Sequence, residues 1–458
     1  MGRARLVDVQ LPDFGMPESR PEVAAATYAA RLERLRARTE AAGVDRLLIY
    51  ADREHSANLS WLSGYDPRFE ESLVVVGPAD PPTVLAGNEC QGLAAAAPLL
   101  MRPVLFQEFS LPGQPRDRSR GLADILAENG VRAGARVGLV GWKTYARHDQ
   151  TDLPAYIVDE VRRLVGPTGT VVNATGLLID NADGLRTVAE IDQLASLEFA
   201  SSQTSEGVRN LIFNLTPGIS ESEAVRLLRW DGTPLSCHLM LTAGPRATLG
   251  LLSPGDRRLE RGDRFTTAFG VWGALTCRAG FLVEGPGELL PGIADYVDRL
   301  VGPYFEAVAE WYEALHVGQT AGALYEIVRR HIGDPFFGVS LNPGHLIGLD
   351  EWINSPVAAG SPVELRSGMA MQVDIIPATG TAYFTTNIED GIALADESLR
   401  AAFAAAYPDA WRRIQARRAF MTSALGIALH PDVLPFSNIP AFLPPFLLGP
   451  GRAMALAG

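Results

Sequence analysis

At 458 residues the chain exceeds one ordinary hydrophobic core, so two domains are expected. Hydrophobic residues make up 47% and charged residues 20%, the balance of a packed soluble protein rather than a disordered or coiled one. The net charge of −13, with 53 acidic side chains against 40 basic and no basic cluster, argues against nucleic acid as a partner.

Three cysteines, Cys90, Cys237 and Cys277, are too few and too irregularly spaced for a disulfide framework. The segment from Met1 to Pro21 has no charged stretch followed by an apolar run, so no secretory signal is expected. No stretch approaches the roughly 18 consecutive apolar residues of a membrane span. A reducing cytoplasm is the expected address.

In chain order, Arg20 to Ala42 reads as a helix with apolar positions Val23, Tyr28, Leu32 and Leu35, stopped by Gly43. Strands are expected at Arg46–Tyr50, Ser72–Val76, Arg136–Val140 and Thr170–Val172. Helices are expected at about Gly121–Glu128 and Thr151–Leu164. Strands alternating with helices imply an α/β layer. Thr187 and Glu190 have capping-box spacing and would open a long helix to Asn214, and Ser220 and Glu223 form a second such pair. The domain boundary is therefore placed near residue 184, giving segments 1–184 and 185–458. Longer apolar strands follow at Cys237–Leu241, Phe265–Ala268, Phe281–Val283, Ala370–Ile376 and Thr385–Ala393, with helices at about Ile293–Leu315 and Ala321–Ile332. The last fifty residues, with Pro431, Pro435, Pro440, Pro444 and Pro445, are not expected to form a regular helix. This aromatic tail would pack over an existing surface or wall a substrate pocket.

The densest signal lies between Asn342 and Asp390. Asn342-Pro343-Gly344-His345-Leu346-Ile347-Gly348 is followed by Gly368-Met369, which opens a strand holding Asp374, and then by Asn387-Ile388-Glu389-Asp390. This pattern resembles the end of the α+β pita-bread domain shared by aminopeptidase P, prolidase, methionine aminopeptidase and creatinase. Upstream, Asn58-Leu59-Ser60-Trp61-Leu62-Ser63-Gly64-Tyr65 resembles the α/β N-terminal domain of creatinase and prolidase. The resemblance thus implies an α/β domain followed by a pita-bread domain, a homodimer, and a small-molecule substrate.

In metal-dependent members of that family five ligands, two Asp, a His and two Glu, hold two metal ions. Arg261-Gly262-Asp263 and Phe269-Gly270 match the family's punctuation and place its first Asp position at Ala268 and its second at Cys277. His345 and Glu389 keep the His and last Glu positions, and Asp374 stands at the other Glu. Two further family histidines fall in Leu251 to Asp256 and at Trp352. The resemblance therefore implies no dinuclear centre. Either Cys277, His345, Asp374 and Glu389 hold one divalent metal (zinc, iron or manganese), or no metal binds and the carboxylates work as acid and base.

His345, Asp374 and Glu389 are the expected catalytic residues; His238, Arg68, Trp352 and Cys277 are the expected substrate contacts. Singly, a buried His or Cys is an ordinary core residue. Likewise, the Arg68, Glu70 and Glu71 loop is a solvated loop unless it reaches a partner subunit's pocket, as the matching creatinase loop does. The expected function is hydrolysis of a C–N bond in a small amino-acid-like molecule, resembling creatinase and ectoine hydrolase. The alternatives are a one-metal Xaa-Pro aminopeptidase or dipeptidase, and a non-catalytic binding protein on the same fold.

Overall fold

A computed structural model describes residues 4–457. It divides into two compact units, one spanning Val23–Thr187 and one joining the first 22 residues to the chain from Val188 onward. The opening strand β1 (Ala4–Asp8) belongs to the latter, where it pairs antiparallel with β15 (Arg452–Leu456).

The unit Val23–Thr187 is built on a six-stranded mixed sheet of β2 (Arg46–Ala51), β3 (Ser72–Val76), β4 (Thr83–Ala86), β5 (Arg102–Leu105), β6 (Arg136–Val140) and β7 (Thr170–Asn173). The strand order is β5-β4-β3-β2-β6-β7. Its apolar runs are strands buried on both faces: Leu47, Leu48 and Ile49 have no exposed surface. Leu48, Leu73, Val137 and Leu139 pack with Ile157 and Val161 of the helix Ala155–Val165, which begins just after Pro154 rather than at Thr151. The first helix runs Ala25–Ala41, starting later than the apolar spacing predicts. Arg20 precedes Pro21, and the residue before a proline is pushed out of the helical region. Asn58 to Ser63, which leads into β3, forms a short helix, Ala57–Ser63, closed by Gly64 at φ +72°.

The other unit begins its main body with the helix Ile191–Asn214. The capping box expected of Thr187 and Glu190 does not form. Thr187 lies in a preceding tight turn, Leu185–Thr187, and its hydroxyl donates to Gly184 O at 2.7 Å. Glu190 takes the N-cap position with no side-chain cap bond. The box at Ser220 and Glu223 does form, with Ser220 N to Glu223 Oε2 at 2.7 Å and Glu223 N to Ser220 Oγ at 3.1 Å.

Seven strands make the antiparallel sheet of this unit: β8 (Met240–Ala243), β9 (Arg264–Val271), β10 (Ala274–Phe281), β11 (His345–Leu346), β12 (Ala370–Ile375), β13 (Asn387–Leu394) and β14 (Val433–Pro435). The order is β11-β12-β13-β10-β9-β8, with β14 also on β13. The strand expected at Phe281–Val283 is instead β10, of which Phe281 is the last residue. Its buried Arg278 hides it from an apolar-run reading. The helix expected over Ile293–Leu315 is divided into a wide-turn segment, Val297–Val301, and the α-helix Gly302–Ala314. Pro303, lacking an N–H, stands in the first turn of the latter, where no intrahelical bond is required of it.

A further correction concerns the last fifty residues, because the helix Pro408–Ser423 runs into them. Beyond Pro431 the chain is irregular apart from β14 and β15. Phe436, Phe442 and Phe446 are at most 2% exposed, so the tail is interior packing of this unit.

Candidate functional site

The register of the sheet lines up one row of side chains. Asp374 stands opposite Glu389, Glu389 opposite Cys277, Cys277 opposite Ala268, and Ala268 opposite Met240. Directly opposed residues of antiparallel strands share a face, so the row reads carboxylate, carboxylate, thiol, methyl, thioether. His345 pairs with Gln372 on β12, two residues from Asp374 and therefore on the same face. The turn into β11 needs its glycine: Gly344 sits at φ +121°, and a Cβ there would meet Gln372 O and the Trp311 ring at 3.0 Å.

The imidazole of His345 is fully buried, and its Nδ1 lies 3.2 Å from Leu346 O, an acceptor that assigns the Nδ1 hydrogen. Its Nε2 faces three acids, at 3.2 Å from Glu351 Oε1, 3.6 Å from Glu389 Oε1 and 4.0 Å from Asp374 Oδ2. The Trp352 ring stacks on the imidazole with centroids 4.2 Å apart and planes 18° from parallel. The Cys277 thiol donates to Glu389 Oε2 at 2.8 Å. His345 Nε2, Asp374 Oδ1 and Glu389 Oε1 are buried without a partner in hydrogen-bonding geometry.

These contacts set the charge states. Burial pushes the His345 pKa down, but Glu351, Glu389 and Asp374 outweigh it and raise it to about 10. Burial, and next the neighbouring Glu389, pushes Asp374 well above the carboxylate range. Burial also raises Glu389, and burial followed by Glu389 raises the Cys277 thiol. Burial and neighbouring charges thus shift all four groups toward their protonated forms, the kind of perturbation found at proton-transfer sites.

The other predicted residues are placed as follows. Exposed His238 lies with Nε2 2.7 Å from Leu251 O, so the imidazole is engaged by the carbonyl of the residue standing near the absent histidine. Arg68 is in the unit Val23–Thr187, where it bonds Asp66 through Nε at 2.9 Å and Nη2 at 3.0 Å. In the same loop Glu70 accepts from Cys90 N at 2.9 Å, and Glu71 accepts from Tyr50 Oη at 2.6 Å. Sequence reasoning missed Glu351. The signal was an acid six residues after His345, inside a turn that folds back on β11.

Two metal ions do not fit the row. Ala268 offers no donor atom, and Met240, opposite it on β8, offers only a thioether sulfur. A single ion has a usable donor set: one ligand atom each from His345, Glu351 and Glu389 lie within 4.8 Å of one another.

The Creatinase/Prolidase N-terminal domain family matches residues 31–179. The chain is 26% identical over 234 residues to the uncharacterized peptidase YqhT of Bacillus subtilis, a match covering 48% of this chain and 63% of that protein. Dipeptidase PepE of Mycobacterium ulcerans superposes with a TM-score of 0.60 at 20% identity, over 83% of this chain and 95% of that one. The prolidase of Pyrococcus horikoshii gives 0.62 at 17% identity, over 80% and 95%. The Xaa-Pro dipeptidase of Bacillus anthracis gives 0.61 at 18% identity, over 81% and 96%. Among the described residues no helix is long and apolar enough to cross a membrane. The chain thus carries a match to the Creatinase/Prolidase N-terminal domain family over residues 31–179 and shares the pita-bread fold of these enzymes.

Proposed function

We propose that this chain hydrolyses a C–N bond in a small, polar, amino-acid-like substrate, in the manner of creatinase-like enzymes and without a dinuclear metal centre. The observation that carries the reading is the row itself, which changes from carboxylates to apolar side chains at Cys277 and Ala268. Asp374 is the general acid: burial keeps its proton on, and its unpartnered oxygen is free to give that proton to the leaving nitrogen. Glu389 Oε1 takes the proton of the attacking water, which His345 helps to orient, and the Cys277 thiol fixes the other Glu389 oxygen. Trp352, Cys277, His238 and Arg68 are the proposed substrate contacts. One divalent ion, where bound by His345 and Glu389, supplies Lewis-acid polarisation and a more acidic water.

The second reading, a one-metal Xaa-Pro aminopeptidase or dipeptidase, is favoured by the dipeptidases and prolidases that share the fold. A panel of amidino acids, N-acyl amino acids and Xaa-Pro dipeptides separates the two, with and without manganese. Turnover of a small amidino or acyl substrate is expected, with Xaa-Pro cleavage below about one per second. Xaa-Pro turnover above that rate puts the second reading first. Ligand binding by calorimetry with no turnover of any compound leaves a binding protein. The proposed assembly is a homodimer.

A further inference from the structure

The turn that leaves β11 carries an acid that the strands do not supply. Leu346 N donates to Asn354 O at 2.8 Å and Ile353 N to Leu346 O at 3.0 Å, so the intervening residues double back over the sheet. That brings Glu351 Oε1 to 3.2 Å from His345 Nε2, and the adjacent Trp352 ring holds the imidazole plane. Glu351 is a quarter exposed, which leaves the cluster one side open to solvent. Glu389 is arranged from the opposite direction. Its Oε2 is occupied by the Cys277 thiol, which turns the unpartnered Oε1 toward His345.

The spacing of these atoms is informative. Two ligand atoms each about 2.1 Å from one ion, at angles between octahedral and tetrahedral, lie about 3.0–3.4 Å apart. The His345–Glu351 separation of 3.2 Å falls inside that interval, and the His345–Glu389 separation of 3.6 Å lies just beyond it. Neither the buried imidazole nitrogen nor the buried Glu389 Oε1 has a partner in hydrogen-bonding geometry, an unfavourable arrangement that a shared ion would relieve.

We propose that His345, Glu351 and Glu389 bind a single divalent cation, with Glu351 acting as the ligand that replaces the carboxylates absent at Ala268 and Cys277. One imidazole and two carboxylates suit manganese, ferrous iron or zinc, and three protein ligands leave positions open for water or substrate. The thiol of Cys277 has an orienting task through Glu389, and Asp374, whose Oδ2 is 4.0 Å from His345 Nε2, stays outside the set. The inference uses the cluster of the proposed activity but concerns binding alone. A chain that binds the ion and hydrolyses nothing overturns the activity and leaves this site standing.

The test is titration of full-length, chelator-stripped protein with manganese and cobalt(II), followed by calorimetry and by the visible absorption of cobalt. One equivalent is expected, with cobalt bands that shift when Glu351→Gln is introduced and an affinity loss of at least about tenfold in that variant. Glu351→Asp, which keeps a carboxylate, is expected to retain one equivalent at intermediate affinity. Zero equivalents for the wild type overturns the proposal and leaves a proton on Nε2 as the partner of Glu351. So does uptake of two equivalents, or Glu351→Gln binding as tightly as wild type. The wild-type stoichiometry decides even if a variant fails to fold.

Discussion

Strands β10 and β13 carry two buried ionic clusters one residue apart, on opposite faces of the sheet. On one face the Arg278–Asp390 pair is saturated. Arg278 Nη2 donates to both Asp390 oxygens at 3.0 and 2.9 Å and to Ile439 O at 2.6 Å. Its Nε donates to Phe442 O at 2.8 Å and its Nη1 to Cys277 O at 2.7 Å. Asp390 also accepts from Ser437 Oγ at 2.8 Å and Ala441 N at 2.9 Å. On the other face Cys277, Glu389, Asp374 and His345 are almost equally buried yet leave three polar atoms without partners. Burial therefore does not distinguish the site. What separates these two clusters is satisfaction: the first ties the proline-rich tail to the sheet, and the second leaves polar atoms without hydrogen-bond partners.

The largest expected effect breaks the saturated cluster. Asp390→Ala leaves Arg278 buried and unpaired and releases the tail backbone at Ala441, at an expected cost of about 3–5 kcal/mol in chemical denaturation. A loss under about 1 kcal/mol would mean that the tail does not depend on the pair, and the contrast between the faces would fail.

The same operation on the other face should act on rate and not on stability. Glu389→Gln is expected to lower turnover about a hundredfold or more. The thermal midpoint should hold or rise, because one of several crowded carboxylates is neutralised. His345 and Asp374 variants should each cost about as much as the triple variant, since residues acting as a unit are non-additive. Additive losses would show three separate structural roles.

The smallest expected effect is a pH slope in the ion-free protein. His345 is raised from 6.5 to about 10, and Asp374 and Glu389 are raised above their ordinary carboxylate values. In each case the folded chain keeps a proton that the unfolded chain has released. This stabilisation is fully present below the ordinary carboxylate range and is lost as pH rises through the folded values, up to about 10 for His345. The unfolding free energy should fall between about pH 5 and 9, by at most about 1.4 kcal/mol per pH unit for each proton, and the thermal midpoint with it. Asp374→Asn should flatten its lower part. A midpoint that climbs across that interval would contradict the charge states assigned to the site.

Local chemistry made much of this legible in the sequence. Apolar runs marked β2, β3, β6, β12 and β13, Ser220 and Glu223 marked a helix start, and the Gly-His turn with two acids marked His345, Asp374 and Glu389. These features depend on near neighbours along the chain or on a motif that fixes spacing. The family pattern put Ala268, Cys277, Asp374 and Glu389 at one site, but the register that lines them up, with Met240 at the end of the row, was not legible, because pairing between distant strands is set by the packing of whole faces. Arg278 concealed β10, since a charged residue in a strand is readable only once Asp390 is known to face it. Thr187 failed as a cap because it lies in the preceding tight turn, so that the helix opens three residues later with Glu190 at its N-cap. Glu351 was missed for the most general reason: nothing in its neighbours along the chain shows that its turn doubles back, and only that return brings its carboxylate to His345.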